Sequence, residues 1–193
     1  MRILLYMACV DVNINMIETK RLILRNWNSQ DFTPFYKINS HPQVCQYLPN
    51  QLTESESNEF AHKIIQKFKE QGFGLFALER KDNGTFIGYT GLNTPNFDAP
   101  FMPNIEIGWR LAFDQWGQGF ATEAALAVRN YAFDELNLPE IVSFTVPENT
   151  ASRRIMEKIG MIYDPSSDFC HPDLPHDHAL SQHVLYRKLN PLS

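Results

Sequence analysis

Apolar and polar positions along this chain follow two rhythms, and each change of rhythm marks the edge of an element. Residues 21–27 (RLILRNW) are a short apolar run with polar flanks and predict a first strand. Ser29 and Asp31 then offer N-caps for a short helix carrying Phe32, Phe35, Tyr36 and Ile38, which His41 and Pro42 end. Thr53 and Glu56 have the spacing of a capping box. The helix behind them repeats Phe60, Ile64 and Phe68 on one face, with Ala61 and Ile65 widening the stripe, and Gly72 closes it. Residues 73–79 and 86–92 read as two strands joined through Asn83-Gly84, a strong hairpin signal. A loop rich in Pro and Asn covers 93–104, and 105–111 (IEIGWRL) is a fourth strand. A helix over 121–136, a fifth strand over 141–146 and a helix over 150–159 follow, the last ended by Gly160. Residues 163–182 are polar and hold three prolines, which predicts a long loop before a last strand at 183–187. Without repeats or a linker, the pattern describes a single α+β domain.

Composition narrows this picture. With 193 residues, 44% of them hydrophobic and 12% aromatic, the chain can bury a sizeable core and is not a disordered polymer. It contains no apolar run near the ~20 residues that span a bilayer, so a membrane-spanning role is not expected. A net charge of −5 argues against a nucleic-acid partner and suits a basic one. Cys9, Cys45 and Cys170 frame neither a disulfide scaffold nor a zinc finger, which points to a reducing cytoplasm. The apolar residues 3–10 follow a single Arg2 and pass for a short signal-peptide core. They lack a convincing cleavage site, and Asp11 follows at once. An extra strand or loose extension over 1–15 is the expected reading, with the domain covering 16–193.

The most informative stretch is Trp116, Gly117, Gln118, Gly119, Phe120, Ala121 and Thr122. It lies between a predicted strand end and a predicted helix start. Small residues there let a ligand approach the backbone, and the unpaired amides of a helix N-terminus favour a phosphate or diphosphate. Neither a Rossmann fingerprint nor a Walker A loop fits. A second stretch begins at Asn149, a good N-cap, and runs through Ser152, Glu157 and Lys158 to Gly160. The plain reading of both is a glycine-rich helix entry and an ordinary cap.

Their order and spacing within one chain resemble the GNAT superfamily of acyl-CoA-dependent N-acetyltransferases. The resemblance is strongest to the branch that includes the ribosomal-protein N-terminal acetyltransferases. The family's cofactor motif, Gln/Arg-x-x-Gly-x-Gly/Ala, is matched from Trp116 to Ala121, with Trp116 standing where Gln or Arg is usual. The Asn-x-x-Ser…Glu-Lys-x-Gly pattern is matched by Asn149, Ser152, Glu157, Lys158 and Gly160. Residues 18–25 and 180–187 also resemble that branch, so the likeness covers roughly 16–189.

The resemblance implies a mixed, mostly antiparallel sheet flanked by helices and splayed between its fourth and fifth strands. It implies acetyl-CoA as cosubstrate, with its pantetheine arm near Trp109, Arg110 and Leu111 and its diphosphate on the amides of 117–122. Asn149 would reach the pantetheine from the opposite side. An amine would attack the thioester directly. The acceptor is expected to be a protein α-amine or a small-molecule amine, and the protein a monomer or homodimer.

A protein α-amine has a pKa near ~7.7 and lysine near ~10.4, so either needs a base, lysine more so. Glu106 is the candidate, though alternation sets it opposite Ile105 and Ile107 without saying which face is the cleft. Ser152 is the candidate to protonate the departing thiolate, with Tyr163 the runner-up. An acylated Cys170 beside His171 is disfavoured, because adjacent residues rarely point at each other. His176 and His178 with Asp173 or Asp177 have the composition of a metal site but no supporting spacing, so no metal is expected. That loop is expected instead to wall the acceptor pocket. Trp27, Phe35, Tyr36 and Tyr47 are either the opposite wall or core, and core is favoured. The alternative function is an acyl-CoA sensor that binds and does not turn over.

Overall fold

A computed structural model describes residues 16–192 of the chain. The strands are β1 (Met16–Glu18), β2 (Leu22–Arg25), β3 (Leu75–Arg80), β4 (Phe86–Asn93), β5 (Glu106–Leu111), β6 (Glu140–Thr145), β7 (Ile162–Tyr163), β8 (Phe169–Cys170) and β9 (Gln182–Leu189). The helices are α1 (Phe32–Asn39), α2 (Glu54–Gln71), α3 (Phe120–Asp134) and α4 (Thr150–Lys158). One sheet runs β1-β2-β3-β4-β5-β6-β9-β7, with β8 alongside β9. Its pairings are antiparallel except β5 with β6, which run parallel and register only at Glu106 opposite Val142.

The two sheet faces carry different helices. Ile107, Leu111 and Ile141 point to the face covered by α3 and α4, where they meet Ala124, Val128, Met156 and Ile159. Tyr89 points the other way, against Phe35 of α1 and Ala61 and Ile64 of α2. Val142 and Leu185 continue that second face under the loop 94–104, packing on Phe101 and Phe169. Alternation along β5 therefore puts Glu106, Gly108 and Arg110 on the α1–α2 face.

Local signals account for most boundaries. The Thr53 Oγ1 accepts from the Glu56 amide at 3.3 Å and Glu56 Oε2 accepts from the Thr53 amide at 2.8 Å. Gly72 closes α2 at φ 75°, where an L side chain would be strained. Three places differ from the expectation. β1 was not expected, because three residues carry no readable alternation; its pairing with β2 defines it. The predicted loop 163–182 contains β8 and the end of β7, two-residue strands that exist only through their contact with β9. Asp31 stands at the N-cap of α1 as expected but makes no side-chain cap there; the capping side chain is Asn28, one turn earlier, in a box that Asp31 Oδ2 completes by accepting from the Asn28 amide at 2.9 Å. The same carboxylate is buried and also accepts two bonds of 2.8 Å from the Arg25 guanidinium. Among the described residues, no helix is long and apolar enough to cross a membrane.

Candidate active site

The turn into α3 has the form of an anion cradle. Gly117 and Gly119 sit at φ 73° and 81°, in the left-handed region that glycine enters without strain. A Cβ on Gly117 would meet nothing within 4 Å, so the backbone there is open to a ligand. Gly119 is the N-cap of α3 and offers no side chain to its first amides, which leaves the helix start uncapped. Phe120 is buried and anchors the turn, with the Arg21 and Arg80 guanidinium carbons 4.4 and 5.1 Å from its ring centre.

A clasp from the N-terminal strands holds this turn in place. Glu123, in the first turn of α3, accepts from Thr19 Oγ1 at 2.7 Å, the Arg21 amide at 2.8 Å and Arg21 Nε at 2.6 Å. Arg21 Nη1 donates to the Gln118 carbonyl at 2.9 Å. Burial works against the Glu123 carboxylate, but these donors outweigh it and hold its pKa below the ordinary value. Thr19 and Arg21 belong to the stretch 18–25 singled out in the sequence, where their role could not be read.

The second part of the site is the gap between β5 and β6. Their ladder ends where Glu106 meets Val142, and the two strands then diverge. The Val142 amide donates to the Ile105 carbonyl at 2.9 Å, so odd-numbered β5 residues face β6 with their backbone groups. Trp109 thus turns its N–H and C=O into the gap. Leu111 turns its carbonyl there too, but the Trp116 indole N–H donates to it at 3.0 Å. Arg110 has its backbone toward β4, and its Nη1 donates to Asn39 Oδ1 at 2.7 Å.

Glu106 stands at the mouth of this gap. Its Oε2 accepts from Asn93 Nδ2 at 3.1 Å, and the Asn93 Oδ1 accepts from Lys67 Nζ at 3.0 Å. The Oε1 leans along β5, 3.7 Å from where a Cβ on Gly108 would sit. Burial pushes the Glu106 carboxyl up to about 7, against the opposing pull of the Asn93 hydrogen bond and the Lys67 charge. A carboxyl poised near neutrality can take a proton at physiological pH. Asn93 and Lys67 were not among the sequence-predicted residues. They reach Glu106 from 13 residues away and, in turn, from another 26, and no local pattern announces such a meeting.

The remaining candidates separate. Asn149 caps α4, its Oδ1 accepting from the Ser152 amide at 3.2 Å and its Nδ2 donating to Thr145 Oγ1 at 3.0 Å. Ser152 is half-buried in the first turn of α4, beyond the end of β6. Tyr163 lies on β7, separated from β6 by β9, and donates to Asp168 Oδ2 at 2.6 Å. Cys170 is exposed, while the His171 ring packs 4.6 Å from Phe97. The described residues contain no group of three His, Cys, Asp or Glu able to hold a metal ion. Trp27 and Phe35 are core, with ring centres 4.8 Å apart and the Trp27 indole donating to the Leu75 carbonyl at 2.7 Å.

Comparison with known proteins bears on the same region. Residues 21–162 match the family described as Acetyltransferase (GNAT) domain. YnaD, an uncharacterized N-acetyltransferase of Bacillus subtilis, is 33% identical over 152 residues, spanning 75% of this chain and 81% of that protein. The crystal structure of a GNAT-family acetyltransferase from Bacillus anthracis aligns with a TM-score of 0.75 at 27% identity, covering 91% of this chain and 98% of that one. A ribosomal-protein-S5-alanine acetyltransferase from Vibrio fischeri shares the fold, with a TM-score of 0.72 at 17% identity over 91% of this chain and 97% of its own.

Proposed function

This chain belongs to the GNAT acetyltransferase family, and on that premise we propose that it acetylates a primary amine by direct attack, with Glu106 as the base. The family uses acetyl-CoA, which supplies an activated acyl thioester. The residues of this chain suit that cosubstrate. The uncapped amides of Phe120, Ala121 and Thr122, with the open backbone of Gly117, would take the diphosphate. The outward N–H and C=O of Trp109 would pair with the pantetheine amides, as a free strand edge does with any extended chain. Asn149 would meet the pantetheine from the α4 side.

The observation that carries the reading is the Glu106 carboxyl, half-buried, poised at about 7 and standing where β5 and β6 part. An ammonium cannot attack, so its proton must first pass to Oε1 of Glu106, directly or through one water. The neutral nitrogen then bonds to the thioester carbon and the C–S bond breaks. The thiolate would leave toward the α4 start and take up the second proton released by the acylated nitrogen, with the Ser152 hydroxyl donating a hydrogen bond or relaying that proton. A protein α-amine suits a base of this strength better than a lysine, because its own pKa lies near ~7.7 rather than ~10.4. Cysteines that frame no scaffold support a reducing cytoplasmic setting.

Glu106→Gln tests this. We expect kcat on a responsive peptide or small amine to fall by about 10²–10⁴-fold. Calorimetry should find the acetyl-CoA affinity unchanged. Full turnover in the variant would remove Glu106 from the mechanism. Binding without turnover by the unaltered protein, across peptides and polyamines, would instead favour the sensor reading.

A further inference from the structure

We propose that Lys67 and Asn93 are positioning residues that fix one oxygen of Glu106 and leave the other free to receive the proton of the incoming amine. The inference rests on the reading of Glu106 as base and extends it to two residues from other elements.

The chain of contacts has a direction. The Lys67 ammonium can only donate, and it donates to Asn93 Oδ1 at 3.0 Å and to the Thr94 carbonyl at 3.4 Å. With its carbonyl oxygen so engaged, the Asn93 amide must present its NH₂ on the other side, where Glu106 Oε2 accepts at 3.1 Å. Asn93 faces Glu106 directly across the β4–β5 ladder, so the backbone sets their separation. Oε2 is thereby tied, while Oε1 leans over Gly108 toward the diverging strands. Lys67 and Asn93 also line a pocket between α2 and the β3–β4 hairpin, together with Phe60, Ile64 and Leu75. They are wall residues of a solvent-reachable space rather than fill of a sealed core.

The other charged or titratable groups near this face reach Glu106 by no bonded path among the described residues. Arg110, also on β5, is bound to Asn39 at 2.7 Å and lies over the rings of Phe60 and Tyr89. The Tyr89 hydroxyl on β4 is kept protonated by burial. From β6, Val142 brings no charge, and Glu140 is held by Arg187 at 3.0 Å and Asn104 at 2.7 Å. Lys63, one helical turn before Lys67, lines the same pocket but is exposed, and the charge that acts on Glu106 is that of Lys67. Lys67 is thus the cation that reaches Glu106 through a bonded path. It lowers the cost of the half-buried carboxylate, and without it the base would stay protonated to higher pH.

The test compares Lys67→Gln, which keeps a donor and loses the charge, with Lys67→Arg, which keeps the charge. Two readouts are taken: the NMR titration of the ¹³C-labelled Glu106 carboxyl, assigned through Glu106→Gln, and the acid limb of the kcat/KM profile. Lys67→Gln should move both midpoints up by about one pH unit, the effect of removing one nearby cation from a partly buried site. At pH 7 that is about a fivefold loss of kcat/KM, recovered near pH 9. Lys67→Arg should leave both midpoints in place. Unmoved midpoints in Lys67→Gln, or equal shifts in both variants, overturn the proposal. If the carboxyl midpoint moves while the rate limb does not, the failure is that of Glu106 as base, and the electrostatic link stands.

Discussion

At the scale of single residues, the candidate base carries a cost that can be measured. The folded-state pKa of Glu106 is raised from 4.5 to about 7 by burial. The folded chain therefore holds this proton more tightly than the unfolded one, and the associated stability is full at low pH and lost as pH rises through about 7. Above that range the protein folds around a carboxylate it would rather not bury. Glu106→Gln, which lowers turnover, should consequently raise stability at pH 8 by about 2 kcal/mol, allowing for partial exposure of the residue. In thermal unfolding this is a Tm gain of roughly 4–8 °C at pH 8 and none at pH 4, where both states are protonated. An equal gain at both pH values would mean that the carboxyl is not perturbed. Sequence reasoning singled out Glu106 as a strand carboxylate shortly before the glycine turn. It could not pick its face, because a period of two always offers both, and the facing helix decides.

At the scale of elements, capping chemistry and hairpin signals made the helices and long strands legible, because those signals are local. Thr53 with Glu56 and Asn83 with Gly84 stand within a few residues of what they shape. The two-residue strands β7 and β8 were illegible for the opposite reason: only β9 defines them. The turn into α3 combines both cases. Its glycines were readable, whereas the clasp of Thr19, Arg21 and Glu123 joins positions 104 and 102 residues apart. That clasp predicts a specific defect. Arg21→Ala should loosen the turn and weaken acetyl-CoA binding by about tenfold, near 1.4 kcal/mol, the worth of one charge-assisted bond. S-acetyl-pantetheine lacks the diphosphate, so its KM should hardly change. A matching loss with both thioesters, seen by calorimetry and steady-state kinetics, would show that the clasp supports the whole cleft rather than the turn.

At the scale of the molecule, the sheet is two blocks meeting at one parallel rung. β1 to β5 form one, β6 with β9, β7 and β8 the other, and Glu106 opposite Val142 joins them. A parallel pair needs a crossover, here supplied by α3, and the same connection puts the glycine turn of Gly117 and Gly119 directly after the free edge of β5. The splay was foreseen only through family likeness, since no periodicity records where two strands stop pairing. It has a consequence for backbone dynamics. The Arg110 and Gly108 amides face β4 inside the ladder and should exchange slowly with solvent in the free protein. The Trp109 amide faces the gap with no strand beyond it and should exchange quickly. If the pantetheine pairs there, saturating acetyl-CoA should slow exchange at Trp109 by at least the occupancy factor of the complex while leaving Arg110 and Gly108 nearly as before. A uniform slowing of all three would report general tightening of the fold. Unchanged exchange at Trp109 in a saturated complex would place the thioester arm somewhere other than the parting of β5 and β6, and Glu106 would then stand beside an empty cleft.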